Sequence, residues 1–220
     1  MSNIDWTAEW SSINCYKNEI EPCNWQITAS FNDESLSMDD QAIAFGRMRY
    51  LIKELYHGSI FIYNVNPLLQ TFHKKLDTRL ITLPFVPNNY AVAAITWYKL
   101  LSVTQGRISL EHLHISCDKA DNLGINFDPE EAINDELMEE ISYKDWDVPA
   151  WWFRPTPTTW DVLVKKDKKN VMEYDNNEWP EYLQWERKPD TLKNEKKKAE
   201  SNVIPLKKNW KPEVIKGDKN

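Results

Sequence analysis

The sequence predicts an α/β (or α+β) domain, a small mixed sheet of about four strands packed by three to four helices, followed by a Trp/Pro-rich extended segment and a basic disordered tail. Three observations predict this. Between residues 24 and 117 the apolar spacing switches repeatedly between steps of two and steps of three and four. Residues 79–118 read as strand, helix and strand in immediate succession and hold the longest apolar stretch. Beyond residue 143, tryptophan and proline, and then lysine, replace the apolar period. The expected boundaries are 1–143 for the α/β core, 144–186 for the extended segment and 187–220 for the tail.

The first twenty residues give no clear period; Trp6, Trp10 and Tyr16 are expected to lie across the core. From Asn24 the pattern sharpens, because Trp25, Ile27, Ala29 and Phe31 alternate with Asn24, Gln26, Thr28 and Ser30. That is a half-buried strand with a wet face, suited to an edge or an antiparallel pairing. Ser37 and Asp40 have the spacing of a capping box, and Phe45, Met48, Ile52 and Leu55 continue a helix to about Tyr56. The run from His57 to Val65 is nearly all apolar, as expected of a strand buried on both faces. Asn66 and Pro67 then read as cap and first residue of a short helix through Leu68, Leu69, Phe72 and Leu76.

Arg79 to Leu83 alternates as a strand, Pro84 and Pro87 end it, and Asn88 or Asn89 caps a helix from Tyr90 to Thr104 that Gly106 stops. From Arg107 to Cys117 a further strand turns Ile108 and Leu110 inward, then Leu113, Ile115 and Cys117. The phase slips near Glu111 and His112, which predicts a β-bulge. Residues 118–128 read as a loop, and Asp128 with Pro129 opens a helix with an apolar seam of Ile133, Leu137 and Ile141. That helix is crowded with acids and carries no Lys or Arg, so it calls for a basic partner from elsewhere. Trp146 to Trp160 is too rich in proline for a helix, and Val162–Val164 with Val171–Tyr174 suits a small hairpin.

Charge is distributed unevenly over a net −7. Residues 1–143 carry 10 Lys and Arg against 20 Asp and Glu, whereas residues 187–220 carry 11 against 5. An acidic body thus bears a basic tail, and that tail can lie on its own acidic helix or track phosphates. Three irregularly spaced cysteines, no secretory layout at the start and no apolar run of bilayer length point to a cytoplasmic protein with reduced thiols and no membrane contact. Abundant Asn, Lys and Trp with few Gly has the character of proteins from AT-rich viral genomes.

The candidate chemistry is sparse. His57 with Ser59, and His114 with Ser116, form two His-x-Ser triplets on predicted strands, where residues two apart share a face. This pairing resembles that of the two-histidine phosphoesterases. The resemblance, confined to these four residues, implies that one histidine acts as general base and the other as general acid. The structural alternative is a pair of ordinary strand histidines. His112 and His114 also share a face, with Glu111, Asp118 or His57 as third metal ligand, although no diagnostic spacing supports a metal and no cofactor is expected. Phosphate loops, nucleophile elbows and zinc-protease helices are absent, and five glycines leave little material for them. Trp151, Trp152, Arg154 and Trp160, near Lys165, combine flat faces with positive charge, which suits a protein groove or single-stranded bases; otherwise they clasp the domain. The expected function is therefore a non-enzymatic interaction or assembly protein that binds another protein through this segment and the tail. A metal-independent phosphodiesterase and a single-stranded nucleic-acid binder are the alternatives.

Overall fold

The computed structural model describes residues 3–16, 19–32, 37–75, 77–119, 124–128, 149–166, 169–174 and 177–185, which belong to one unit spanning Met1–Trp185. A long antiparallel hairpin, β1 (Asn3–Tyr16) and β2 (Glu19–Asn32), forms its spine. After it come α1 (Met38–Tyr50), β3 (Ser59–Tyr63), α2 (Leu69–Lys75), β4 (Leu80–Leu83), α3 (Asn89–Thr104), β5 (Ser109–Cys117) and β6 (Gly124–Phe127). The sheet order is β4-β3-β1-β2-β5-β6, with β3 and β4 parallel to β1, and with β5 and β6 joined by antiparallel pairing. A separate two-stranded hairpin, β7 (Asp161–Lys166) and β8 (Lys169–Tyr174), follows.

The mixed α/β class stands, but the sheet has six strands rather than about four. Among the described residues two helices are long and a third has seven residues, where three to four helices are expected. Both additional strands have a physical reason. In β1 the odd positions Asp5, Thr7, Glu9 and Ser11 are exposed while Trp10, Ser12 and Asn14 are buried, a two-residue period diluted by Ala8 and two serines. In β6, Gly124 and Asn126 resemble loop residues, yet Phe127 is buried against Trp97, their rings 5.9 Å apart. The strand from Asn24 is no edge. It lies between β1 and β5, antiparallel to both.

Local signals place the helices. The Ser37 hydroxyl accepts from the Asp40 N–H at 3.1 Å and donates to its carboxylate at 2.9 Å, which caps α1. α1 runs on as a π-helical turn, Leu51–Tyr56. Asn88 caps α3 by accepting from the Ala91 N–H at 2.8 Å, and the chain leaves through Gln105 and Gly106, both in left-handed conformation. The bulge lies where the phase slips: Ser30 pairs with His112 and Phe31 with Leu110, so Glu111 is the extra residue.

α1 and α3 pack on one face of the sheet, over Trp10, Trp25, Ile27, Phe31, Leu113 and Ile115. The Trp-rich segment closes this layer. Trp151 and Trp152 are fully buried in a 3-10 turn against α3, and burial of about 150–250 Å² each is worth on the order of 4 kcal/mol per side chain. Buried Lys99 fastens it: Nζ donates to the carbonyls of Trp151, Arg154 and Thr156 at 2.8, 2.8 and 2.7 Å. Asp161 accepts from the Trp151 N–H at 2.7 Å and pairs with Arg154. Arg47 anchors the following stretch, donating to the Leu183 carbonyl at 2.8 Å beneath the ring of Trp185. The expected helix over 129–141 and the tail at 187–220 lie outside the described residues.

Candidate functional site

Among the described residues, the second face of the sheet is covered only at its β3 and β4 end. α2 and the residue before it bring Leu68, Leu69 and Phe72 over Ile13, Cys15, Ile60, Ile62 and Leu80, which seals the β3 and β4 side. Across the rest, the outward positions are polar. Register sets them in rows: Asp5, Ser30 and His112; Thr7, Thr28, His114 and Asn126; Glu9, Gln26, Ser116 and Gly124. Asp128 and Glu111 extend this surface. β1, β2, β5 and β6 contain no Lys or Arg, in a chain with 27 of them.

Side-chain hydrogen bonds hold the surface in place. Ser30 Oγ donates to Asp5 at 2.7 Å, Ser11 Oγ to Asn24 at 2.7 Å, and Gln26 to Glu9 at 3.3 Å. His112 Nδ1 lies 2.6 Å from Asp128 Oδ1, and His114 Nδ1 lies 2.7 Å from Asn126 Oδ1. Both oxygens are acceptors, so Nδ1 is the donating nitrogen of each ring. The His114 ring occupies the space that a Cβ on Gly124 would fill, which explains that glycine. At the rim, the backbone and side-chain amides of Asn24 donate to Asp118 and hold its carboxyl below the usual carboxylate range. Among the described residues no set of three His, Cys, Asp or Glu is placed to hold a metal ion.

The two His-x-Ser triplets do not meet. Gly58 turns the chain at φ 72°, so β3 begins at Ser59 and His57 lies outside it. His57 Nδ1 accepts from the Ser11 N–H at 3.3 Å in the open, whereas Ser59 is fully buried and donates to the Tyr56 carbonyl at 2.6 Å. His57 and Ser59 therefore do not share a space, contrary to the strand expected there. Three strand steps and about three residues of register separate His57 from His114, roughly 17 Å between backbones, far beyond shared hydrogen-bond reach. His114 and Ser116 do share the open face.

The expected aromatic surface is corrected as well. Trp151 and Trp152 have no exposed surface, Arg154 is 9% exposed and bound to Asp161, and Trp160 is half-buried. These residues close the core, because indoles of that size gain more by burial than they offer in solvent. His112, His114 and Ser116 lie on one strand as the sequence predicts, whereas Asp5, Thr7 and Glu9 carry only an alternation that Ala8, Ser11 and Ser12 weaken.

No protein-family model matches the chain, and no curated protein matches it. A solved structure of an uncharacterized protein from Wolinella succinogenes is similar at TM-score 0.43 and 10% identity, covering 58% of this chain and 98% of that one. Among the described residues no helix is long and apolar enough to cross a membrane.

Proposed function

We propose that the chain is a binding protein that engages a basic surface of another protein through the open face of β1, β2, β5 and β6. One observation carries this reading: four adjacent strands present Asp5, Glu9 and Glu111 with no Lys or Arg in any of the four, and at their rim Asp118 and Asp128 stand with Lys119 beside Asp118 and Lys53 near Glu9. Fixed like charges raise the local potential, steer a basic partner and select against an acidic one. Nucleic acid, whose phosphates need cations, is disfavoured on this face. The flatness of a sheet suits a macromolecule better than a small substrate, which calls for a concave site.

The experiment is differential capture from a lysate of the source cells. Asp5→Lys with Glu9→Lys should release the proteins that wild type retains, as should added salt, while Trp160→Ala should retain them. An unchanged protein set with the charge-reversed chain would contradict the proposal.

A further inference from the structure

We infer that the free edge of β1, from Asp5 to Glu9, is a strand-addition site for an extended partner segment in which Lys or Arg alternates with apolar residues. This rests on the reading of the open face as a binding surface and adds where, and in what conformation, the partner is held. The backbone direction follows from Ser11. Its N–H donates to His57 at 3.3 Å and its carbonyl accepts from the Gly58 N–H at 2.8 Å, so the odd-numbered residues of β1 aim both groups toward the β3 side. β3 is five residues long and pairs with β1 from Ser12 to Cys15. The N–H and C=O groups of Asp5, Thr7 and Glu9 consequently face a side where no strand lies among the described residues.

Such a row is a template for another strand, and sheets usually blunt it with proline, lysine, a bulge or short length. Here β1 has 14 residues, no proline or lysine, and an unbroken register with β2. An added strand would alternate its side chains between two surroundings. On the open face its residues would meet Asp5 and Glu9, which favour Lys or Arg. On the other side they would extend the core beside Trp6 and Ala8, partly buried residues already packed against it, which favours Val, Ile or Leu. A second copy is a poor occupant, because two β1 edges joined antiparallel about Thr7 set Asp5 opposite Glu9.

The probe is a synthetic octapeptide of alternating Lys and Val, titrated into the full isotope-labelled chain, with alternating Glu and Val as control. Amide hydrogen exchange is read residue by residue. The Lys-Val peptide should protect the amides of Asp5, Thr7 and Glu9 by roughly tenfold or more, and the control should not. Thr7→Pro removes an N–H that faces the free edge, leaves the ladder to β2 intact, and should weaken binding by roughly tenfold. Unchanged exchange at these three amides on saturation would overturn the inference, and so would wild-type affinity in a folded Thr7→Pro chain. Protection that rises with protein concentration without peptide would also overturn it, naming a second copy as the occupant. If Asp5→Lys with Glu9→Lys still abolished binding in any of these cases, the acidic-face reading would survive while the edge did not.

Discussion

The ammonium of Lys99 is enclosed by three carbonyl oxygens of a single loop, and three N–H donors meet three acceptors. Burial, with Arg154 nearby, holds its pKa well below the ordinary lysine range, but the three acceptors require all three protons of the charged form. Lys99→Met should leave those carbonyls unsatisfied and cost about 3 kcal/mol, read as a lower midpoint in urea unfolding. Asp161 carries the pH dependence of the same clasp. Burial pushes its carboxyl up to about 6, against the opposing pull of Arg154 and the Trp151 N–H. In the unfolded chain it titrates at about 4. The folded state therefore binds this proton more tightly, and its contribution to stability is full below about pH 4 and lost as pH rises through about 6. A carbon-13 titration of the Asp161 carboxyl should show a midpoint about two units above that of an ordinary aspartate; an ordinary midpoint would show that the ion pair outweighs burial. None of this was legible beforehand. Lys99 lies in a helix whose sequence shows a lysine among apolar residues, and its partners come from more than fifty positions away.

The hairpin of β1 and β2 is the element on which the account depends. Amides of Trp6, Ala8 and Trp10 are directed to β2 and should exchange slowly, whereas those of Asp5, Thr7 and Glu9 should exchange fast in the unbound chain. A comb of alternating rates along β1 is the expected result; uniform protection would mean that the edge is covered. Where periodicity was strong, the elements were readable: the strand from Asn24, the capped helices at Ser37 and Asn88, and the bulge at Glu111 all lie where local sequence puts them. β1 was not readable, because Ala8, Ser11 and Ser12 weaken its alternation and its aromatic residues invite attention first. β6 was masked by Gly124, whose missing side chain reflects the His114 ring above it rather than a turn. The candidate site was half legible for the same reason. His112, His114 and Ser116 share one strand, but their neighbours Ser30, Thr28 and Gln26, and beyond them Asp5, Thr7 and Glu9, are set by strand order, which no local pattern states.

At the scale of the molecule, one face of the sheet is closed by α1, α3 and the tryptophan clasp, and among the described residues the other is closed only at its β3 and β4 end by α2. The tryptophan-rich sequence therefore serves stability, and the uncovered acidic part of the sheet is the surface proposed for binding. Because the attraction is electrostatic and exposed, affinity for a basic partner should fall steeply with added salt, by more than for a contact held by buried indoles. The most direct measurement is amide chemical-shift mapping of the full chain with a basic partner or the Lys-Val peptide. Perturbations gathered on Asp5, Thr7, Glu9, Thr28, Ser30, His112 and His114 are predicted. Perturbations gathered instead on residues 149–166, with the open face silent, would contradict the account.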